Sequence, residues 1–318
     1  MELLDARIER ILRAADRAPS VHNTQPWQVR VRGNRVVVRA DPSRQLRHSD
    51  PQGREMLISC GAFVLNARLA ARRESLLPVV TVLPDPDDHL LVAEIDLRPG
   101  PGPDIDELEL AVAIARRVTT RSPFDDQPLD ADVLQAIQIA AHDEGAVLRL
   151  IQPSEPARDQ VMSLVRRAEA LAAEDPAARG EERAWTAVAP DRPDGIPQEM
   201  LGPWTFDDRS PVRRFLASAG NAQFEQRSTM AVLLTAGDTP RDWIAAGQAL
   251  ERLLLVATTY FVRASFATTV LENPTTRHDL RQALSLDAPP QMLMRLGYGT
   301  TPRHTLRRTV EDSVAPDA

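Results

Sequence analysis

The sequence predicts an α+β fold. Stretches with apolar residues at helical spacing are interleaved with stretches that alternate apolar and polar residues, and a Pro-Gly-Pro-Gly-Pro run at Pro99–Pro103 is the clearest break in the chain. With 318 residues there is room for two domains or for one large pseudo-symmetric unit.

Taken in order, Leu4, Ile8, Ile11, Leu12 and Ala15 share one face, which predicts an amphipathic helix from about Asp5 to Arg17, stopped by Pro19. Gln28–Arg32 and Arg35–Arg39 alternate around Gly33-Asn34, a two-residue hairpin signal. Residues Arg54 to about Arg73 are apolar nearly all round, the pattern of a helix buried between layers. Pro78–Leu83 and Leu90–Leu97 read as strands flanking the turn Pro84–Asp88, and Ile105–Val118 reads as a helix, acidic in its first turn and basic in its last. A helix marked by Val133, Leu134, Ile137 and Ala140 follows, then a strand at Ala146–Ile151 and a helix at Arg158–Ala173. The pattern dissolves over Pro176–Pro211, which is rich in Pro, Gly and Asp yet holds Trp185 and Trp204. So long a loop predicts a packed functional element. Ser228–Thr235 reads as a buried strand, Pro240–Tyr260 as a helix with Thr239 as its N-cap, Pro274 as the start of a short helix and Met292–Tyr298 as the last strand.

Composition removes several chemistries. Cys60 is the only cysteine, which excludes an internal disulfide and a cysteine-rich metal site. All 38 basic residues are arginine, so Schiff-base and phosphate-loop lysine mechanisms are excluded, and any anion held by side-chain charge is held by arginine. A net charge of -7 argues against nucleic acid or an anionic membrane as the main partner, and no apolar run approaches the roughly 18 residues of a membrane helix. The charged, amphipathic N-terminus is unlike a signal peptide, so a cytoplasmic enzyme or binding protein is expected. The six histidines lack metal-pair spacing, and no nucleophile elbow occurs.

The stretch Ala18–Trp27, Ala-Pro-Ser-Val-His-Asn-Thr-Gln-Pro-Trp, is dense in polar groups and poor in core-filling ones. As a tight helix-to-strand loop it can turn amides, the Ser20 and Thr24 hydroxyls and the His22 and Asn23 side chains toward one small volume, the geometry that reads the edge of a heterocycle. A turn in which Ser20 and Asn23 bond only local backbone satisfies the same residues. Arg116 and Arg117, at the end of the predicted helix, equally serve either dipole compensation or an anion.

Pro19-Ser20-x-x-Asn23-x-Gln25-Pro26-Trp27 resembles the flavin-contacting loop of the nitroreductase family. Arg117, Thr119 and Arg121 resemble a second family element, and Asp242–Arg252, Arg295-Leu-Gly-Tyr-Gly299 and Arg307-Arg308 resemble its C-terminal half. Because the Pro-Ser loop precedes the basic run, the chain is most similar to the double-length, Acg-like branch, in which two nitroreductase-like halves are fused. The resemblance implies halves at 1–103 and 104–318, the second with a lid-like insertion at about 175–214, and a monomer that mimics the family homodimer. In it the helix at 54–73 would pack against Pro240–Tyr260 in place of a dimer interface. It further implies one FMN between the halves. The implied contacts are Pro19, Ser20, Val21, His22, Asn23 and Thr24 on the ring, with Arg117, Thr119, Arg121, Gly297, Arg307 and Arg308 on the other half's side, Arg117, Arg121 and Arg308 neutralising the phosphate and ribityl end. Trp204 or Phe206 would face the ring from the lid. The implied activity carries electrons from NAD(P)H through the flavin to a quinone-like or nitroaromatic small-molecule acceptor, with no side chain required as a base. The alternative is a flavin-binding or storage protein whose lid excludes NAD(P)H. The stretch Ala257–Ala264 departs from the Gly-Leu turn common at that place in the family.

Overall fold

A computed structural model describes residues 5–205 and 212–315. Its elements in chain order are α1 (Ala6–Ala15), β1 (Trp27–Arg32), β2 (Arg35–Ala40), α2 (Arg54–Arg73), β3 (Leu76–Val82), β4 (Leu91–Pro99), α3 (Ile105–Ala113), α4 (Ala131–Asp143), β5 (Val147–Ile151), α5 (Ala157–Glu174) and α6 (Pro176–Trp185). Four short strands follow, β6 (Thr186–Val188), β7 (Ile196–Pro197), β8 (Trp204–Thr205) and β9 (Asn221–Ala222). The chain then runs through β10 (Thr229–Leu234), α7 (Pro240–Thr259), β11 (Arg263–Phe266), α8 (Thr269–Glu272), α9 (Pro274–Ala283), β12 (Pro290–Gly297) and α10 (Val310–Ser313). The α+β class is as expected.

The two four-stranded sheets, ordered β1-β2-β4-β3 and β5-β10-β12-β11, are antiparallel throughout. Each has the same chain order: first, second, fourth and third strand, with a helix before the first strand (α1, α4) and a 20-residue helix between the second and third (α2, α7). The linker Pro99–Pro103 separates the first such set from α3.

The α2 and α7 helices pack on each other at the centre of the molecule, as the resemblance implies. Their crossing is set by two glycines. A Cβ on Gly61 would lie 2.2 Å from the Ile244 carbonyl oxygen, and one on Gly247 would lie 1.9 Å from that of Ile58, so only glycine lets the backbones come this close. Around the crossing one continuous core joins both sheets, from Val36, Val38 and Ile95 through Phe63 and Leu253 to Leu233 and Met294. The far face of the second sheet is buried too, by α5, α8 and α9 through Val161, Val270 and Leu280. That double coverage explains why every residue of β10 and β12 is buried.

The hairpin forms where expected, with Arg32 opposite Arg35 and Gly33 at φ +59° in the turn. Three expectations need correction. The third helix ends at Ala113, after which Arg117–Arg121 runs extended and Thr119 bridges Ala264. The segment Pro176–Pro211 opens with a regular helix, α6, none of whose residues is buried, so it leaves no apolar stripe in the sequence. The departure at Ala257–Ala264 leads into strand β11, which the sequence pattern did not reveal.

Candidate functional site

The residues after α1 form a strained loop. His22, Asn23 and Gln25 all have positive φ, +48°, +57° and +49°, a conformation side chains rarely adopt and that surrounding structure must impose. The restraints are specific. Asn23 Nδ2 donates to the carbonyls of Gly195 (3.0 Å) and Leu306 (3.1 Å), Gln25 Nε2 donates to Pro193 O (2.9 Å), and Ser20 Oγ accepts the Gln25 amide (2.9 Å). Trp27 Nε1 donates to Asp16 (2.8 Å), whose burial pushes its carboxyl up to about 6. The loop therefore satisfies much of its own polarity and still presents one face to a cavity.

That cavity, about 440 Å³, is lined by Pro19–Asn23, the extended stretch at Arg117, Thr119 and Arg121, the α2 residues Glu55, Ile58 and Ser59, and Leu250 of α7. Ser265, Thr268 and Met292 line the floor, the tail contributes His304 and Arg307, and Met200, Arg213 and Phe215 come from the segment between α6 and β9. Three sequence-distant stretches singled out above thus meet in one place.

One end is cationic. Arg307 is half-buried and donates to the carbonyls of Asp16 (3.0 Å) and Leu306 (3.1 Å) and to Thr305 Oγ1 (2.6 Å). Burial, then Arg117 and Arg17, lower its pKa to about 9, which still leaves it charged at neutral pH. Arg117 donates to Arg17 O (2.7 Å) and faces Glu251 across 3.2 Å, and burial raises that carboxyl to about 7 against the pull of Arg117. Arg17 lies 3.0 Å from His304 Nδ1. A guanidinium has no acceptor, so Nδ1 must be the bare nitrogen and Nε2 keeps a hydrogen to donate. Burial and the surrounding arginines depress His304 to about 4, so it is neutral at pH 7. Arg263, with Nε and Nη1 buried and unpartnered, adds to the same field. Positive charge exceeds its counter-charge here, the condition for holding an anion.

The other end is aromatic. The Phe215 ring has Arg121 on it at 5.6 Å and Arg213 at 5.6 Å, and His22 meets it edge-on at 5.7 Å. Arg213 is tied to Glu272, while Arg121 has a carbonyl, Met200 O at 3.2 Å, and a pKa lowered to about 10 by burial and by Arg213. His22 is buried with neither nitrogen partnered, and burial holds it well below the usual imidazole range.

Four expected contacts lie elsewhere. Arg308 is turned away, donating to Gln25 O (2.9 Å), Trp27 O (2.7 Å) and Asp312 O (3.2 Å), so it clamps the loop to the tail. Gly297 does not line the cavity; a Cβ there would stand 2.7 Å from the Phe124 ring, so its role is to admit that ring. Thr24 is buried outside the cavity, its carbonyl accepting from Arg44 at 2.8 Å. Trp204 is 41% exposed and does not line the cavity, Phe206 lies outside the described residues, and among the described residues Phe215 is the aromatic that enters from the stretch between α6 and β9. Arg295, of the stretch that resembles the family's C-terminal half, is a pillar: fully buried between Phe124 (4.3 Å) and Phe224 (4.8 Å), it pairs with Glu225 (2.6 Å) and holds Ser122 O (2.7 Å), just beyond Arg121. Sequence reasoning missed Glu55, a carboxyl in an otherwise apolar helix, and missed His304 and Phe215, which stand in aperiodic segments.

Known proteins bear on this architecture. The chain is 30% identical to the provisionally named NAD(P)H nitroreductase Rv3131 of Mycobacterium tuberculosis (strain H37Rv) over 324 residues, 96% of this chain and 91% of that protein. It is 28% identical to the provisionally named NAD(P)H nitroreductase acg of the same strain, over 96% of this chain and 94% of that one. The chain belongs to this nitroreductase family. Among solved structures it is similar to a nitroreductase with bound FMN from Desulfitobacterium hafniense, with a TM-score of 0.42 and 14% identity over 66% of this chain and 98% of that one. No family model matches the sequence. Among the described residues no helix is long and apolar enough to cross a membrane.

Proposed function

We propose that this chain binds one FMN in the cavity and passes electrons from NAD(P)H to a small quinone-like or nitroaromatic acceptor. The observation that carries the reading is the convergence of Pro19–Asn23, Arg117–Arg121 and Arg307 on one cavity whose cationic end suits a phosphate. The residues fit the group. Arg117, Arg307 and the His304 Nε2 hydrogen would hold the phosphate, Thr119 would bond between, and the loop face at Pro19–Asn23 would lie along the ring. When bound, FMN supplies the hydride chemistry, and the protein supplies position, electrostatics and exclusion of water. Membership of the nitroreductase family supports the same reading.

The matching chain order of the two sheets supports reading the protein as two fused halves, 1–103 and 104–318, with α2 against α7 standing where a homodimer would have its interface. A monomer follows from that reading. The test is titration of FMN and riboflavin into the protein, followed by NAD(P)H oxidation with added menadione. A protein that takes up neither flavin refutes the reading. Equal affinity for both flavins refutes the phosphate assignment.

A further inference from the structure

We propose that Glu55 is the proton donor to a quinone-like acceptor bound in this cavity, a further catalytic residue, since a carbonyl oxygen must gain a proton as its ring gains electrons. The proposal rests on the flavin-reductase reading above and assigns a step which that reading left to solvent.

The case begins with placement. The α2 helix buries Met56, Leu57, Ile58, Cys60 and Phe63 with almost no polar face, yet its second residue is a glutamate, only 4% exposed, on the cavity wall beside Ile58 and Ser59. A glutamate kept in a helix's first turn for the dipole alone would sit in water and be ionised; this one is dry. Its Oε1 accepts from Arg54 Nη2 at 2.9 Å, and Arg54 is itself committed to the Gln291 carbonyl at 2.5 Å. The charged groups that face it from the surrounding elements are Asp50 before the helix, Arg54 on it, Glu272 at the end of α8 and Arg213 from the segment over the cavity. Arg213 opposes as well, but its contribution is the smallest of these. Burial therefore dominates, Glu272 adds to it, and Arg54 only partly opposes, leaving the carboxyl pushed up to about 8. At neutral pH it is a neutral acid on the cavity wall, which is what a donor to a carbonyl oxygen requires. A purely structural role would be met equally well by glutamine, which packs alike and cannot give up a proton.

The step balances. When bound, the flavin would supply the hydride equivalent, two electrons and one hydrogen, and Glu55 the proton. As the quinone's C=O π bond opens, the Glu55 O–H bond breaks and an O–H bond forms on the quinone oxygen, giving the hydroquinone. The carboxylate left beside Arg54 is reprotonated from water.

The test uses FMN-loaded wild type and Glu55→Gln in stopped flow, each reduced with NADH and then oxidised by menadione or by ferricyanide, which takes electrons without a proton. Loss of a general acid is expected to lower the menadione-to-ferricyanide rate ratio by roughly 10²-fold at pH 7. In the wild type that ratio should fall as pH rises through about 8, and in the variant it should be flat. Independently of turnover, the infrared difference between wild type and Glu55→Gln without cofactor should contain a protonated-carboxyl C=O band at pH 7 that is lost by pH 9. An unchanged ratio in the variant, a flat wild-type profile, or no such band overturns the donor role while the flavin is still bound. A protein that takes up no FMN refutes the cofactor reading, and the donor role with it.

Discussion

Replacing Gly247 by alanine tests how the central helix crossing shapes the cavity. The added Cβ would stand 1.9 Å from the Ile58 carbonyl oxygen, 2.8 Å from its carbon and 2.9 Å from the Ala62 nitrogen, all backbone, so no side chain can swing away. Bringing the first contact out to the 3.4 Å of ordinary packing parts α2 from α7 by about 1.5 Å. Overpacking a close interface costs about 3 kcal/mol, at the upper end for such changes. Alanine returns about 1 kcal/mol of helix propensity over glycine. The net loss, about 2 kcal/mol, should lower Tm by roughly 3 °C, given an unfolding entropy of about 2 cal/mol/K per residue over 318 residues. Because Ile58 on α2 and Leu250 on α7 both line the cavity, FMN retention should fall with it. Gly180→Ala is the matched control: Gly180 lies in α6 with nothing within 4 Å of a Cβ, so alanine there should be neutral or slightly stabilising. Thermal melts and flavin release would be measured on both. A Gly247→Ala protein with wild-type Tm and wild-type flavin retention would refute the claim that this crossing is tight enough to set the cavity walls.

Arg308→Ala should weaken FMN and riboflavin alike and lower stability by about 2–4 kcal/mol, since it strands the Gln25 and Trp27 carbonyls; selective loss of FMN in parallel titrations would put Arg308 at the phosphate after all. Glu251 has a folded pKa raised from 4.5 to about 7, so the native state binds more protons than the unfolded chain in that window and stability falls as pH rises through it. Glu251→Gln should flatten that part of the Tm–pH curve of the flavin-free protein, and a curve of unchanged slope would remove Glu251 as its source. Phe215→Ala should speed flavin reduction by NAD(P)H and increase FMN loss, as stopped-flow absorbance would show; no change in either would mean that Phe215 does not restrict the ring.

The sequence made the hairpin, the two central helices and much of the loop at Pro19–Asn23 legible because each leaves a local signature: a turn-forming glycine, an all-round apolar run for α2 and a Thr-Pro cap for α7, a proline-bounded polar stretch. It could not distinguish Arg307 from Arg308. Neighbours in an extended tail point opposite ways, so one reaches the cavity and the other the Gln25 and Trp27 carbonyls, and only the tertiary path decides which. Gly297 was legible as a glycine that matters, but its reason, the Phe124 ring, comes from more than 170 residues away. The α6 helix left no trace because periodicity reports burial and it buries nothing. Glu55 was hidden by the opposite effect, since a helix apolar on every side draws attention to its packing and away from the one carboxyl in its first turn.

On the function proposed above, whether the site turns over or only stores flavin depends on how firmly the segment holding Arg213 and Phe215 is seated. Arg213 is anchored in the interior by Glu272, with Glu169 nearby and itself raised to about 7 by burial. Withdrawing one partner of a buried ion pair costs about 3–5 kcal/mol. If a nicotinamide must stack where Phe215 now sits, the open form is then populated at roughly one part in 10² to 10⁴, and apparent affinity for NAD(P)H falls by the same factor. Reductase and storage protein are on this view two ends of one equilibrium set by a single pair. Glu272→Gln, which loosens the pair but keeps its shape, should move the protein toward the reductase end, raising the rate of flavin reduction at low NADPH while leaving the rate at saturation near that of the wild type. A variant that shifts both rates together would mean that the segment positions the reacting groups and does not gate them.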